Sequence, residues 1–208
     1  MKTIVKTETN PNLEMALSSG WSWEEFRATA HGDYVAIKAQ ALSEQGNECA
    51  YTGLWLGEGT SQLVHIDHFR KKALYPNLRF DWHNLFAAAK DLPYGSDYKD
   101  NTITGPLKKA NNCYQSFWSP LEPNLEDKFW YQQDGKIKPH PQLSEREQLL
   151  AQNTIDMYNL NAPDLKHKRR GVIESVRGLR QLDDDGLVRE CMKEAGFSFV
   201  VDFELKNG

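Results

Sequence analysis

The chain has 208 residues, a formal net charge of −4 and three cysteines, Cys49, Cys113 and Cys191. This length predicts one domain, or one domain with a helical extension. The longest apolar runs are far shorter than the ~18 to 20 residues of a spanning helix, and the N-terminus has no apolar signal segment, so we expect neither a membrane protein nor a secreted one. The odd number and wide spacing of the cysteines favour free thiols in a reducing cytoplasm.

The negative net charge argues against a chain that holds nucleic acid by bulk electrostatics alone, because phosphate binding depends on clustered lysine and arginine. Two segments are nevertheless basic. Residues 165–180 contain six lysines and arginines against one glutamate, and residues 70–72 are Arg-Lys-Lys. A solvated helix face and a nucleic-acid contact are both open for the longer segment, whereas the shorter one directly follows a candidate site.

The N-terminal segment, residues 1–47, is predicted to be helical. Ser22-Trp23-Glu24-Glu25 has the spacing of a capping box, and Asp33 can cap a second helix that ends near Gly46. We therefore expect helices in front of the rest of the domain.

The middle segment, residues 48–140, begins with two predicted strands at 49–53 and 61–69. A helix is predicted to follow in "WHNLFAAAK", residues 82–90, with Asp81 as its N-cap. The predicted order is therefore strand, strand, helix.

A hairpin and a helical extension complete the prediction. Asp134-Gly135 forms a tight-turn signal inside "KFWYQQDGKIKP". The last segment, residues 141–208, has a second capping box at Ser144, a long helix at about 164–182 and an apolar run, "FSFVVDFEL", that is predicted to be a strand.

The sequence His65-Ile66-Asp67-His68 carries the strongest chemical signal. Side chains alternate across a strand, so His65 and Asp67 share one face while His68 points to the other. A carboxylate at Asp67 suits a hard cation such as Mg²⁺, and a neutral imidazole at His68 could take a proton from an attacking water. The alternative is a hydrogen-bonded pair with a purely structural role.

Asp67-His68 followed by Asn84-Leu85 resembles the motif of the HNH endonucleases. The blocks "ECAYTG", "VHIDHFRKK", "WSPLEPNLEDKFWYQQDGKIKP" and "TIDMYNLNAPDL" are similar, in this order, to those of PtuB, the HNH subunit of Septu-type and retron-associated antiphage systems. The resemblance extends over about residues 33–180.

The resemblance implies an α+β fold in which a ββα-metal motif is embedded in a mostly helical single domain with a helical C-terminal extension. It implies a metal-dependent endonuclease, in which His68 is the general base, Asp67 is a metal ligand and Asn84 holds the loop around the base. Arg70 or Lys71 would orient the nucleic-acid backbone. His65 would contact phosphate or play a structural part.

Two departures from the family pattern affect the metal sites. Thr52 stands where the second cysteine of a zinc knuckle would be, so we predict no structural zinc. The third motif residue is missing, because Pro93 or Gly95 falls at its place. The nearby carboxylates of Asp91, Asp97 and Asp100 are the candidates to complete the shell of an Mg²⁺ or Mn²⁺ ion. Lys99 is assigned either to phosphate contact or to a solvent-exposed turn.

The resemblance also implies partners. They are a nucleic-acid substrate, either DNA or an RNA such as tRNA, the ABC-type ATPase subunit PtuA, and in retron-linked systems a reverse transcriptase with its RNA and DNA. The second hypothesis is a binding or scaffolding module that keeps the ββα shape without catalysis. The missing third ligand favours that hypothesis, whereas the joint presence of Asp67, His68 and Asn84 favours the enzyme.

Overall fold

The computed structural model describes residues 1–7, 10–57, 63–103 and 113–208, and it has an α+β architecture. Its helices are α1 (Pro11–Ser18), α2 (Trp23–Thr29), α3 (His31–Glu44), α4 (Ser96–Thr102), α5 (Glu145–Met157), α6 (Pro163–Leu179), α7 (Asp185–Met192) and α8 (Ser198–Asn207). Its strands are β1 (Val64–His68), β2 (Leu85–Ala89), β3 (Phe129–Tyr131) and β4 (Ile137–Pro139). In the described ranges, no helix is both long and apolar enough to cross a bilayer.

The N-terminal helices cover one face of the sheet formed by β1 and β2. The capping box predicted at Ser22 is confirmed, since Ser22 and Glu25 exchange hydrogen bonds at the start of α2. Apolar side chains of α1 to α3, such as Phe26 and Ile37, are buried against Ile66 and Leu85 of the sheet. This small cluster fixes one side of the sheet.

The predicted helix at 82–90 is wrong. Asp81 caps a single 3₁₀ turn, Trp82–Asn84, and the chain then continues as the strand β2. This strand pairs antiparallel with β1, so that His68 lies opposite Leu85 and Asp67 opposite Phe86. All five residues of β2 are buried, and sheet pairing in the core outweighs a helix preference of alanine that is worth less than about 1 kcal/mol per residue.

Two predicted strands are also wrong. Residues 49–53 form a tight turn, in which the amide of Gly53 donates to the carbonyl of Cys49, and an isolated bridge joins Glu48 to Trp55. The run "FSFVVDFEL" lies mostly in helix α8, where Val200, Val201 and Glu204 are buried at helical spacing. An apolar run of this length fits a buried helix as well as a strand.

The C-terminal half follows the prediction more closely. The hairpin of β3 and β4, the capping box at Ser144 and the long basic helix, here α6, are all confirmed. One of the basic residues is not on a solvated face. Arg169 is 2% exposed, and its guanidinium donates to the carbonyls of Gly135 at 2.8 Å and Leu160 at 2.6 Å. It therefore fastens α6 to the hairpin turn.

We predict that Gly135→Ala destabilises the protein by at least about 2 kcal/mol. Gly135 has a φ of 80°, and an added Cβ would stand 2.0 Å from the carbonyl oxygen of Lys166 on α6. The free energy of unfolding in urea measures the effect. The control is Gly171→Ala, inside the same helix with no atom within 4 Å of the added carbon, which we expect to stabilise by about 0.5 to 1 kcal/mol. Equal effects of the two changes would contradict this packing.

Candidate functional site

Strand alternation in β1 separates the two central side chains, as the sequence predicts. Asp67 points towards α4, whereas His68 points towards α2, where its ring meets the edge of Trp23 at a centroid distance of 4.6 Å. Both residues stand at the C-terminal end of the strand and line one cleft. A single strand end thus supplies a carboxylate from one side and an imidazole from the other.

The carboxylate of Asp67 is buried against a lysine and a tyrosine. The ammonium of Lys99, on α4, lies 2.6 Å from Asp67 Oδ2, and the hydroxyl of Tyr51 donates to the same oxygen. Lys99 is 0% exposed and also donates to the carbonyls of His68 at 2.9 Å and Phe69 at 3.2 Å. Its ammonium therefore holds both the carboxylate and the main chain at the end of β1.

These contacts decide the charge of Asp67. Burial by itself raises the pKa of this carboxyl, but the ammonium of Lys99 and the hydrogen bonds from Lys99 and Tyr51 outweigh burial and hold the pKa below its usual value. For Asp100, which is 3.4 Å from Lys99, burial dominates and raises the pKa. Of the two carboxyl groups, Asp67 is consequently the one that is held in its ionised form.

His68 is held as a neutral base. Its Nε2 lies 3.0 Å from the carbonyl oxygen of Arg79, and because a carbonyl can only accept, Nε2 carries the proton and Nδ1 the lone pair. Burial lowers the pKa of His68 to about 4. At neutral pH the imidazole is therefore unprotonated and able to accept a proton at Nδ1.

Asn84 ties together the loop that joins the two strands. Its Oδ1 accepts from the amide of Arg70 at 2.8 Å, and its Nδ2 donates to the carbonyls of Arg70 at 3.0 Å and Leu78 at 3.1 Å. The carbonyl of Arg79, which orients His68, follows immediately after Leu78. Asn84 thus fixes the segment that carries the partner of the imidazole, without touching the imidazole itself.

The cleft at the end of β1 has a volume of about 340 Å³. Of the residues predicted from the sequence, it brings together His65, Asp67, His68, Lys71 and Asp100. The rest of its lining consists of Trp23, Arg27, Tyr34, Ile66, Lys72 and Ala73.

Other predicted site residues lie outside this cleft. The carboxylate of Asp97 accepts from the amides of Asp91 at 2.7 Å and Leu92 at 3.3 Å, and it faces a neighbouring depression. Arg70 is exposed, with its guanidinium 5.6 Å from the ring centroid of Tyr75.

The assignment of Lys99 needs correction, and one residue of the site was not predicted. Lys99 is not in a solvent-exposed turn, and its three N–H groups all point to protein oxygens, which leaves none for a phosphate. Tyr51 was missed because nothing in the local pattern of "ECAYTG" marks a hydroxyl that reaches Asp67 in the fold. Only the tertiary packing of the turn against β1 reveals it.

Two carboxylates that line the cleft, those of Asp67 and Asp100, are the groups that could hold a cation. Among the described residues, no group of three or more His, Cys, Asp or Glu side chains is arranged to hold a metal. However, Asp100 Oδ1 is buried without a hydrogen-bond partner, and it lines the same cleft as Asp67. Two carboxylates suit Mg²⁺, which is commonly bound by one or two carboxylates together with water and substrate phosphates.

Comparison with known proteins identifies a bacterial relative. No protein-family model matches the chain. Over 160 residues it is 28% identical to a protein of Vibrio cholerae serotype O1 biovar El Tor named "Retron Vc95 putative HNH endonuclease". The alignment covers 76% of this chain and 74% of that protein. The similarity supports a relationship to the HNH endonucleases.

We predict that Lys99→Met lowers the free energy of unfolding by about 3 to 5 kcal/mol at neutral pH, because it leaves the buried carboxylate of Asp67 uncompensated. Urea denaturation measures the loss. The matched control is Lys138→Met, at the exposed position of β4, which we expect to change stability by less than about 0.5 kcal/mol. Asp67→Asn added to Lys99→Met should recover part of the loss, and no recovery would show that the damage is steric.

Lys99→Met should also reverse the pH dependence of the stability that Asp67 contributes. In the wild-type protein the pKa of Asp67 is lower in the folded state than in the unfolded chain. The ionised carboxylate therefore stabilises the fold above the unfolded-state pKa, and this stabilisation is lost as the pH falls through the folded-state pKa. Without Lys99, burial raises the pKa of Asp67, and the contribution is lost as the pH rises. The deficit should therefore be smaller at about pH 4 than at about pH 7.

We predict that His68 stays neutral down to about pH 5, with its proton on Nε2, because burial lowers its pKa to about 4. Since the unfolded chain takes up this proton first, stability should fall as the pH drops below the ordinary histidine pKa of about 6.5. Nitrogen-15 chemical shifts of the imidazole report both charge and tautomer. The signal that disappears in His68→Gln identifies the residue, and titration of that signal near pH 6.5 would contradict the buried geometry.

Proposed function

We propose that this chain is an HNH-type endonuclease that cleaves phosphodiester bonds in nucleic acid with the help of a divalent metal ion. The observation that carries the proposal is the neutral imidazole of His68, oriented by the carbonyl of Arg79, in the same cleft as the anionic Asp67. The sequential order of β1, β2 and α4 is compatible with a ββα-metal unit. The similarity to the Vibrio cholerae protein supports the same class.

His68 acts as the general base in this proposal. Nδ1 takes the proton of the attacking water, while the hydrogen bond from Nε2 to Arg79 keeps the ring in position. A low pKa keeps the imidazole unprotonated before the reaction. A bound phosphate then raises its proton affinity, since a nearby negative charge favours the imidazolium.

The other residues position the substrate and the ion. Asp67 and Asp100 would hold an Mg²⁺ or Mn²⁺ ion, which would polarise the phosphoryl group and stabilise the charge on the leaving oxygen. Lys99 keeps Asp67 ionised, and Asn84 keeps the loop at residues 70–78 in place. Arg70, on the exposed side of this loop, is free to reach the nucleic-acid backbone.

The proposed setting is a bacterial defence complex. By its resemblance to PtuB, the chain would act in the cytoplasm as the effector of an antiphage system, together with the ABC-type ATPase PtuA. The retron in the name of the Vibrio cholerae protein favours a reverse transcriptase with its RNA and DNA as a further partner. The substrate would be DNA or an RNA such as tRNA.

A second candidate is a catalytically degenerate module that binds a partner. The buried ammonium of Lys99 favours it, because this charge already neutralises Asp67 and weakens the attraction of the cleft for a cation. The two candidates make opposite predictions for purified protein.

We predict that the chain, alone or with its ATPase, cleaves at least one of duplex DNA, single-stranded DNA and total tRNA in Mg²⁺ or Mn²⁺. His68→Ala should lower the rate by about 10² to 10⁴-fold, the usual contribution of a general base. Gel analysis of initial rates measures the effect. His83→Ala, an exposed histidine in the 3₁₀ turn beside Asn84, is the matched control and should cleave normally. Equal rates for the two variants would exclude His68 as the base, and no cleavage by wild type in any mixture would favour the binding module.

A further inference from the structure

A second, larger depression adjoins the cleft at the end of β1. It has a volume of about 680 Å³ and is open to solvent. The two depressions share Arg27, Tyr34 and His65 in their linings, so they form one continuous surface. The residues around His68 do not account for a depression of this size beside the base.

Three elements contribute basic side chains to this depression. Arg27 comes from α2, His31 and Lys38 come from α3, and Lys90 follows the last residue of β2. We call the depression lined by these four residues the cationic groove. The sequence does not mark it as a basic segment, because its members are spread over more than sixty residues.

The charge of the groove is positive although the chain is acidic. Its two acidic residues are Asp91 and Asp97. The carboxylate of Asp97 is already used by the amides of Asp91 and Leu92, and Asp91 is an exposed neighbour of Lys90 with its carboxylate 3.6 Å away. Arg27, Lys38 and Lys90 therefore face two carboxylates in a chain whose net charge is −4. Of the three, Lys38 is buried, and burial lowers the pKa of its ammonium.

We propose that the cationic groove binds the phosphodiester backbone of the nucleic acid on one side of the bond that is cleaved. The inference rests on the proposed nuclease function, and it adds residues of the N-terminal helices to the substrate-binding surface. Two lysines also line the cleft on the other side of the base. The ammonium of Lys71 donates to the carbonyls of Asp100 and Ile103, and that of Lys72 lies 2.6 Å from the exposed carboxylate of Glu24. A strand lying in the groove would thus meet Arg27 and Lys90 on one side of His68, and Lys72 with its exposed partner Glu24 on the other.

The lining favours backbone over base recognition. The aromatic ring nearest the groove is that of Tyr34, which is 8% exposed, and the guanidinium of Arg27 lies 5.0 Å from its centroid. A buried ring offers no platform on which a base could stack. Contacts made by charge alone are independent of sequence and sensitive to salt. The groove should therefore hold nucleic acids of any sequence.

The test is a salt titration of binding, carried out with the His68→Ala chain so that the substrate is not consumed. The probes are fluorescent single-stranded DNA, single-stranded RNA and duplex DNA of one arbitrary sequence. Arg27→Ala and Lys90→Ala are each added to this chain, and anisotropy gives the dissociation constant at each salt concentration. Arg146→Ala and Lys138→Ala, which remove the same charges from exposed positions outside both depressions, are the matched controls.

We expect each groove variant to bind more weakly and to reduce the slope of log K against log salt by about 0.9 for duplex DNA, or about 0.7 for a single strand, per lost phosphate contact. The control variants should keep the full slope. Groove and control variants with the same slope would overturn the inference, and so would a lack of measurable binding to all three probes at low salt. Because this binding needs no cleavage, its failure is distinguishable from a failure of the proposed nuclease activity.

Discussion

The ion pair between Lys99 and Asp67 is the contact on which the site depends. A buried carboxylate destabilises the folded state unless an opposite charge or hydrogen bonds lie beside it. Here the ammonium of Lys99 supplies the opposite charge, and it also donates to two carbonyls at the end of β1. Through this pair, helix α4 and the turn that carries Tyr51 are locked onto the strand. The positions of the carboxylate and of the main chain beneath the base are therefore set by the core of the protein, and not by a mobile loop.

The sheet of β1 and β2 lies between two hydrophobic clusters, and this placement gives its side chains different environments. The face with Ile66 and Leu85 packs on the N-terminal helices, whereas the face with Phe86 and Ala88 belongs to the larger cluster. His68 and Asp67 alternate between these two sides. A strand that is buried on both faces can thus hold an uncharged base and a charged carboxylate at adjacent positions, because each finds its own partners.

The sequence predicted those parts of the molecule that depend on local chemistry. The capping boxes and the Asp134-Gly135 hairpin follow rules that act within a few residues. Asp67, His68 and Asn84 were grouped by the resemblance to the HNH motif, and their roles stay a prediction. Strand β2 was misassigned because alanine carries no strand signal, and pairing with β1 decided its conformation. The partners of Asp67 escaped prediction for a related reason. The neighbouring sequence indicates neither the burial of Lys99 nor the hydrogen bond from Tyr51 to Asp67.

The side-chain amide of Asn84 forms hydrogen bonds with Arg70 and Leu78, at the two ends of one stretch of chain. Within this stretch, Ala73 lines the cleft, whereas Leu74 and Tyr75 pack against the larger hydrophobic cluster. Because the cost of loop closure rises by only about 0.6 kcal/mol for each doubling of length, residues can be inserted at the exposed positions Pro76 and Asn77 at small cost while the hydrogen bonds of Asn84 persist. Related proteins could therefore diverge in what they present at the rim of the cleft, and an engineer could graft new recognition segments there, with the geometry around the base preserved.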